Sequence, residues 1–150
     1  MLNYFNIKMI NILENTSISK DEILKLMVSN MYKHSNSVID EEVFYKEVLE
    51  REKIGTTGIG MGVAIPHART EAIKDIVVSV GLLKEAVDFN SLDEEKVKII
   101  ILVGAPKNES KKYLELLSLL SKTFRNKKIR ESILESRTTE CLIEAVAEID

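Results

Sequence analysis

The chain has 150 residues, 45% of them hydrophobic, and its 21 basic and 24 acidic residues give a formal net charge of −3. Its length suits a single domain, and the interspersed, slightly acidic charge argues against a protein that binds nucleic acid. The longest apolar run, Ile99 to Val103, is too short to insert into a membrane, the N-terminus lacks the features of a secretory signal, and the single cysteine, Cys141, suits a reducing cytoplasm.

The first third of the chain predicts one strand and two helices. After an N-terminal segment without a clear pattern, Ile7 to Leu13 is interpreted as a strand, and we expect an ordered core from about residue 8 to about residue 148. Ser19 and Glu22 have the spacing of a capping box, so a helix is expected from there to about Lys33. Asp40 is expected to cap a second helix with a helical apolar period.

The next segment is rich in glycine, since Gly55, Gly58, Gly60 and Gly62 make up four of the six glycines in the chain. This density excludes a helix and predicts a loop or a bulged hairpin. A residue before proline is driven into an extended conformation, so a short strand is expected to end at Pro66-His67. The glycines precede this strand, and no Lys-Ser or Lys-Thr follows them. The segment is therefore neither a nucleotide P-loop nor a dinucleotide fingerprint, and no nucleotide cofactor is expected.

The rest of the chain predicts two buried strands followed by three helices. Asp75 to Leu83 and Lys96 to Val103 are rich in valine and isoleucine, which is typical of strands covered on both faces. Helices are expected over Asn108 to Phe124, over Asn126 to Glu135, and after a cap at Thr138 or Thr139. This order predicts an α/β single-domain sandwich over residues 1–150, with a mixed central sheet of about five strands flanked by helices on both faces.

The residues between Arg51 and Arg69 suit a histidine that handles phosphate. Imidazole is a nucleophile at neutral pH, which makes His67 the candidate, and Pro66 stiffens the approach to it. Phosphoryl transfer needs positioning and neutralisation of charge. Donors for phosphoryl oxygens are available from the guanidinium groups of Arg51 and Arg69 and from the hydroxyls of Thr56 and Thr57.

The same residues have structural interpretations. Without its flanking motif His67 would be an ordinary structural histidine, and Arg51 at a helix end could simply complement the helix dipole. Thr56 and Thr57 could form turn hydrogen bonds, and Arg69 could be a solvated surface arginine.

The remaining histidine and the cysteine do not indicate a second site. His34 is expected on the surface at the end of the first helix. Cys141 lies next to Leu142 and near Val146 and is expected in the core. Two histidines and one cysteine, none at ligand spacing, predict no metal site.

Three runs in this segment carry a family resemblance: Arg51-Glu52, Thr57 to Gly60, and Gly62 to Arg69. Together they resemble the active-site signature of the enzyme IIA family of bacterial sugar phosphotransferase systems, of the fructose and mannitol type (PTS EIIA type 2), which the nitrogen-regulatory IIA proteins share. The similarity extends from the first helix to Val146. Asp88 to Asp93 resembles the family's stretch between two sheet strands.

The resemblance implies that His67 carries a phosphoryl group on its ε2 nitrogen while the δ1 nitrogen donates its proton to a backbone carbonyl. The donor would be the phosphocarrier protein HPr and the acceptor a cysteine of an enzyme IIB, with no metal or other cofactor. Arg51 matches the arginine that the family places near the phosphoryl group, and Thr57 and Arg69 are supporting candidates. The sugar is selected by the membrane component of such systems.

The chain departs from the family at Tyr113. Members commonly carry a second active-site histidine there, in a His-Leu-x-x-Leu context, whereas this chain has Tyr113-Leu114-Glu115-Leu116-Leu117. Tyrosine donates one hydrogen bond but is not a cation at neutral pH, so transfer is expected to be slower, to rely more on Arg51, or to serve regulation.

Three functions remain open at this point. The first is a transport-coupled phosphoryl carrier, the second is a regulatory protein that binds targets in one phosphorylation state, and the third is a binding module that lost the chemistry. For a carrier, which must meet two partner proteins in turn, we expect His67 near a strand end in a shallow depression. Ile59, Met61 and Ile65 are expected to belong to the docking face.

Overall fold

The computed structural model describes residues 4–14, 16 and 18–149, and the expected domain limits at residues 1 and 150 lie outside them. The first strand begins at Phe5, before the expected start of the ordered core. The elements in chain order are β1 (Phe5–Leu13), α1 (Lys20–His34), α2 (Glu41–Ile54), β2 (Gly58–Gly60), β3 (Val63–Ala64), β4 (His67–Thr70), β5 (Val77–Val87), β6 (Val97–Pro106), α3 (Ser110–Phe124), α4 (Lys127–Leu134) and α5 (Thr139–Ala147).

The strands form one mixed sheet of six strands in the order β1-β5-β6-β3-β2, and β4 also pairs with β6. The strands β5 and β6 are antiparallel, and β1 is parallel to β5. On the other side of β6, β3 and β4 follow one another and both run parallel to it. The predicted α/β sandwich with a mixed sheet is therefore confirmed.

The prediction that a strand ends at Pro66-His67 is wrong, because β3 ends at Ala64 and His67 begins β4. The break has a simple cause: Pro66 has no backbone N–H, and the N–H of Ile65 donates to the Thr57 carbonyl oxygen at 3.0 Å. The chain rejoins β6 with His67 opposite Val103. This interruption brings His67 to the edge of the sheet at the start of a strand.

Helices cover both faces of the sheet, as predicted. Ile100 and Leu102 of β6 point into a core with α1 and α2, whereas Ile99 and Ile101 point into a core with α3, α4 and α5. All four side chains are fully buried, which explains the continuous apolar runs of the central strands. No helix in the described part of the chain has the length and apolar character needed to cross a bilayer.

The helix starts follow the predicted caps. Ser19 and Glu22 form the capping box of α1, and Asp40 accepts from the Val43 N–H at the start of α2. Thr138 caps α5. The expectation for Cys141 is wrong: its side chain is exposed, because it lies on the face of α5 that points away from the buried Leu142.

Gly104 of β6 has almost no room for a side chain, and this generates a stability prediction. A Cβ atom there would lie 2.9 Å from Ile73 Cδ1 and 3.0 Å from Phe44 Cζ, two buried side chains. We expect Gly104→Ala to lower the free energy of unfolding by about 1–3 kcal/mol through overpacking, as measured by denaturant titration. Gly55→Ala is the matched control, because nothing lies within 4 Å of its Cβ position and its φ of 176° is extended backbone. Equal stability of the two variants would contradict this packing account.

Candidate functional site

The site lies where the end of α2, the glycine-rich hairpin, the start of β4 and the face of α3 meet. His67 is half-buried at the first position of β4, so it lies at the start of a strand and not at the end of one as expected. It lines an open depression of about 190 Å³ together with side chains of α2, the hairpin and α3. The lining residues are Arg51, Thr56, Thr57, Ile59, Ile65, His67, Leu117 and Ser121.

The two ring nitrogens of His67 have partners of opposite kind. Nδ1 lies 2.7 Å from the carbonyl oxygen of Ile65, and Nε2 lies 3.1 Å from Nε of Arg51. A carbonyl oxygen can only accept a hydrogen bond, and a guanidinium can only donate. The ring is therefore neutral, with its proton on Nδ1 donated to Ile65 and its lone pair on Nε2. Ile65 supplies the backbone carbonyl that the resemblance implies.

Burial and charge keep this imidazole neutral. Burial is the largest influence and lowers the pKa of His67 below its usual 6.5, and the Arg51 guanidinium lowers it further. The hydrogen bond to Ile65 and the carboxylate of Glu52 act in the opposite direction and raise the pKa. The net effect is a lowered pKa, so the nucleophilic neutral form persists to a lower pH than in a free histidine.

Arg51 is held from two sides in the last turn of α2. Its Nη1 donates to the Gly55 carbonyl oxygen at 2.7 Å, and its Nε donates to His67. The first contact occupies a carbonyl just beyond the helix end, so Arg51 does complement the C-terminus of α2. The second contact points the same guanidinium at the nucleophile, so the structural and the functional interpretations of Arg51 apply together.

Tyr113 of α3 packs its ring against His67. The ring centroids are 5.9 Å apart with an interplanar angle of 64°, an edge-to-face arrangement. Burial raises the pKa of Tyr113 to about 12, even though the positive charges of Arg51 and Arg69 act to lower it. The phenol therefore stays protonated at any physiological pH and keeps its O–H as a donor.

The side chains of Thr56, Thr57 and Arg69, the other candidates for binding phosphoryl oxygens, have different environments. The hydroxyl of Thr57 donates to Glu52, so it is already occupied in this state. Thr56 donates to the Phe89 carbonyl oxygen and accepts from the Gly58 N–H at 3.0 Å, which is the turn role considered for it. Arg69 is exposed two residues after His67, as a solvated surface arginine would be.

A tight hairpin forms one wall of the site. Gly60, Met61 and Gly62 all have positive φ values, of 94°, 58° and 77°. The Met61 N–H donates at 2.7 Å to Asp93, and this bond contributes most to lowering the pKa of the Asp93 carboxyl. Of the apolar residues expected at the docking face, Met61 is 40% exposed and Ile59 is half-buried, but Ile65 is only 4% exposed and offers little surface to a partner.

Glu52 belongs to the motif quoted from the sequence, but no role at the site was predicted for it. Its side chain is only 3% exposed, and it accepts hydrogen bonds from Thr57. The signal was present: Phe44, Val48 and Glu52 follow each other at four-residue intervals, which places a carboxylate on the buried face of α2. A buried carboxylate needs hydrogen-bond or ion-pair partners, so a glutamate at this position is expected to form a contact inside the protein.

Within residues 4–149, leaving aside the undescribed residues 15 and 17, no three His, Cys, Asp or Glu side chains converge as metal ligands do.

Comparison with known proteins identifies the family to which this chain is similar. The family described as "Phosphoenolpyruvate-dependent sugar phosphotransferase system, EIIA 2" matches residues 3–149. Among curated relatives, the chain is 28% identical over 137 residues to the "PTS system fructose-specific EIIA component" of Haloferax volcanii, covering 91% of this chain and 88% of that protein. It is 30% identical over 134 residues to the "PTS system fructose-specific EIIABC component" of Bacillus subtilis, covering 89% of this chain but only 21% of that larger protein.

Solved structures are similar as well. The nitrogen regulatory protein IIA-Ntr from Neisseria meningitidis superposes with a TM-score of 0.85 at 28% sequence identity, covering 96% of this chain and 97% of that one. The mannitol enzyme IIA in its complex with phosphorylated enzyme IIB from Escherichia coli superposes with a TM-score of 0.77, covering 95% of this chain and 96% of that one. At 20% identity, the second likeness shows the fold alone.

The charge of Arg51 generates a prediction about His67. Arg51→Met removes the nearest cation that disfavours the imidazolium, so the pKa of His67 should rise above its value in the unaltered protein. An NMR titration of the His67 ring nitrogens measures this. Arg69→Met is the matched control, because Arg69 is exposed and not among the groups that shift His67, and it should leave this pKa nearly unchanged. A pKa that stays the same or falls in Arg51→Met would contradict the electrostatic account.

Proposed function

Since the chain belongs to the EIIA 2 family of the phosphoenolpyruvate-dependent sugar phosphotransferase system, we propose that it is a cytoplasmic phosphoryl carrier whose His67 takes a phosphoryl group from phospho-HPr and passes it to a cysteine of an enzyme IIB. The observation that carries the proposal is the Nε2 lone pair of a neutral His67, held 3.1 Å from the Arg51 guanidinium in an open depression. A nucleophile and a counter-charge for the phosphoryl oxygens are thus adjacent.

The transfer steps need only groups that are already in place. The Nε2 lone pair of His67 attacks phosphorus, a new P–N bond forms, and the P–N bond to the donor histidine breaks with its electron pair returning to the donor ring. In the second step the thiolate of the partner's cysteine attacks phosphorus and the His67 P–N bond breaks. The proton stays on Nδ1, donated to the Ile65 carbonyl oxygen, throughout both steps, so His67 needs no other proton acceptor.

Arg51 has a different partner in each state of this cycle. In the free protein its Nε–H donates to His67 Nε2, and that bond must be given up when Nε2 binds phosphorus. The released N–H then donates to a phosphoryl oxygen, so a hydrogen bond between two charged groups replaces one to a neutral ring. The bond from Nη1 to Gly55 keeps the guanidinium beside the site during this exchange.

A regulatory IIA-like protein is the second candidate function, and Tyr113 is the observation that favours it. A phenol with a pKa of about 12 supplies no positive charge to the phosphoryl group, so less of the transition-state charge is neutralised. The likeness to a nitrogen regulatory protein points the same way. A carrier loses its phosphoryl group rapidly to an enzyme IIB, whereas a regulator keeps it and binds a target protein in only one of the two phosphorylation states.

Labelling with phosphoenolpyruvate, enzyme I and HPr tests the proposal. We expect the protein to gain one acid-labile, alkali-stable phosphoryl group, and His67→Ala to fold but remain unlabelled, because the other of the two histidines, His34, lies at the end of α1. His34→Ala is the matched control: this exposed residue at the end of α1 should be dispensable, and the variant should label like the unaltered protein. An unlabelled wild-type protein would favour a binding module that has lost the chemistry, and labelled His67→Ala would move the site elsewhere.

The Tyr113 hydroxyl is proposed to donate to the phosphoryl group, and two variants test this role. Tyr113→Phe removes one hydrogen bond of about 1.5 kcal/mol, so the rate constant for transfer from phospho-HPr should fall about tenfold. Tyr113→His restores a side chain that can carry positive charge and should transfer at least as fast as the unaltered protein. Rapid-quench kinetics distinguish the variants, and a Tyr113→Phe protein as fast as wild type would exclude the hydroxyl from the reaction.

A further inference from the structure

We propose that Glu52 is the positioning residue of this site, fixing the imidazole of His67 through Thr57 and Ile65, with Lys20 as its counter-ion. The inference rests on the proposed function for its kinetic consequence, but its geometric consequence is measurable in the unphosphorylated protein. The hydrogen bonds of Glu52 go to Thr57 and Lys20, so apart from its charge, which raises the pKa of His67, Glu52 can position the ring only through the residues between them.

The first link is the grip of Glu52 on Thr57. Both carboxylate oxygens lie near the Thr57 backbone N–H, at 3.3 and 3.2 Å, and the Thr57 hydroxyl donates to Oε1. Both residues are buried, with 7% and 5% of their surface exposed, so water cannot substitute for either partner. The position of Thr57 is therefore determined by the end of α2.

The second link joins Thr57 to the nucleophile through the interrupted strand. The Ile65 N–H donates to the Thr57 carbonyl oxygen at 3.0 Å, and the Ile65 carbonyl oxygen accepts from His67 Nδ1 at 2.7 Å. A displacement of Thr57 therefore shifts the peptide of Ile65, which is the acceptor that selects the Nδ1–H tautomer. Without that acceptor, only the Arg51 N–H would oppose a proton on Nε2, so the Nε2–H tautomer, in which the nucleophile is blocked, would gain population.

The hydrogen-bond donors around Glu52 explain why this residue is a carboxylate. Three donors converge on Glu52: the N–H and the O–H of Thr57, and the ammonium of Lys20 at 3.4 Å from Oε2. Only a group that accepts and never donates satisfies all three, which an ionised carboxylate does and an amide does not. Lys20 is the first residue of α1, so its ion pair with Glu52 joins α1 to α2. Its Nζ also lies 5.5 Å from the Phe89 ring centroid, a cation–π contact.

A purely structural role for Glu52 makes a different prediction from a positioning role. If Glu52 only stabilised the end of α2, its loss would lower the stability of the fold while the ring of His67 kept its tautomer. If Glu52 positions His67, variants that remain folded should change the tautomer and the chemical step, but not the affinity for the donor protein.

The experiment uses Glu52→Gln, Thr57→Val and the matched control Thr57→Ser in the full chain. Nitrogen-15 NMR of the His67 ring reports the tautomer without any partner, and single-turnover transfer from phospho-HPr separates the rate constant from the apparent affinity. We expect Glu52→Gln and Thr57→Val to lose the single Nδ1–H tautomer and to transfer about tenfold more slowly at unchanged affinity, since small misplacements of a reacting group are costly. Thr57→Ser keeps the hydroxyl, so this variant should retain both the Nδ1–H tautomer of His67 and the transfer rate of the unaltered protein.

The outcomes separate this proposal from the proposed function. Folded Glu52→Gln and Thr57→Val proteins with an unchanged His67 tautomer and transfer rate would overturn the positioning role. If Glu52→Gln fails to fold, the comparison of Thr57→Val with Thr57→Ser decides, because both retain the backbone bond to Glu52. A wild-type protein with an ordered Nδ1–H that accepts no phosphoryl group would overturn the proposed function, and the tautomers of the variants would still decide the role of Glu52.

Discussion

The hydrogen bond from Arg51 to Nε2 of His67 is the interaction on which the rest of the site depends. A guanidinium has only donors, so this contact requires an unprotonated Nε2, and the Ile65 carbonyl on the opposite side requires a proton on Nδ1. Together the two partners leave the imidazole only one neutral form. The ring is therefore set for attack through Nε2 before any phosphorylated protein binds.

The fold creates this arrangement through an interruption in its own sheet. Ile65 lies between β3 and β4, and its N–H and carbonyl oxygen bind Thr57 and His67, whereas the Pro66 carbonyl oxygen already accepts from the Val103 N–H of β6. A continuous strand would have directed these groups into the sheet. Because the helix that provides Arg51 also provides Glu52, the nucleophile, its counter-charge and its support all lie around the end of α2.

Much of this architecture could be predicted from the sequence, for physical reasons. The caps at Ser19, Asp40 and Thr138 are local signals, since each cap is formed by a side chain within three residues of the amide it binds. The strands β5 and β6 were recognisable because both of their faces are buried. The break at Pro66 was placed wrongly because it depends on the hydrogen bond from the Ile65 N–H to the Thr57 carbonyl oxygen, and the residue types alone do not specify that backbone contact.

For individual residues of the site as well, local sequence signals were readable, whereas contacts between distant residues were not. His67 and Arg51 could be named from the motif, but their direct contact across sixteen residues of chain could not. Glu52 was overlooked because a single carboxylate on a helix is usually solvated, and its partner Lys20 comes from a different helix. Cys141 was placed in the core by its apolar neighbours, although helical geometry turns it away from Leu142.

The nitrogen of His67 that binds phosphorus tests the account most directly. After phosphorylation by phospho-HPr, nitrogen-15 and phosphorus-31 NMR of the protein can assign the P–N bond to one ring nitrogen. We expect a phosphoryl group on Nε2 of His67, with the proton retained on Nδ1 and donated to the Ile65 carbonyl oxygen. A phosphoryl group on Nδ1, or on a residue other than His67, would contradict it.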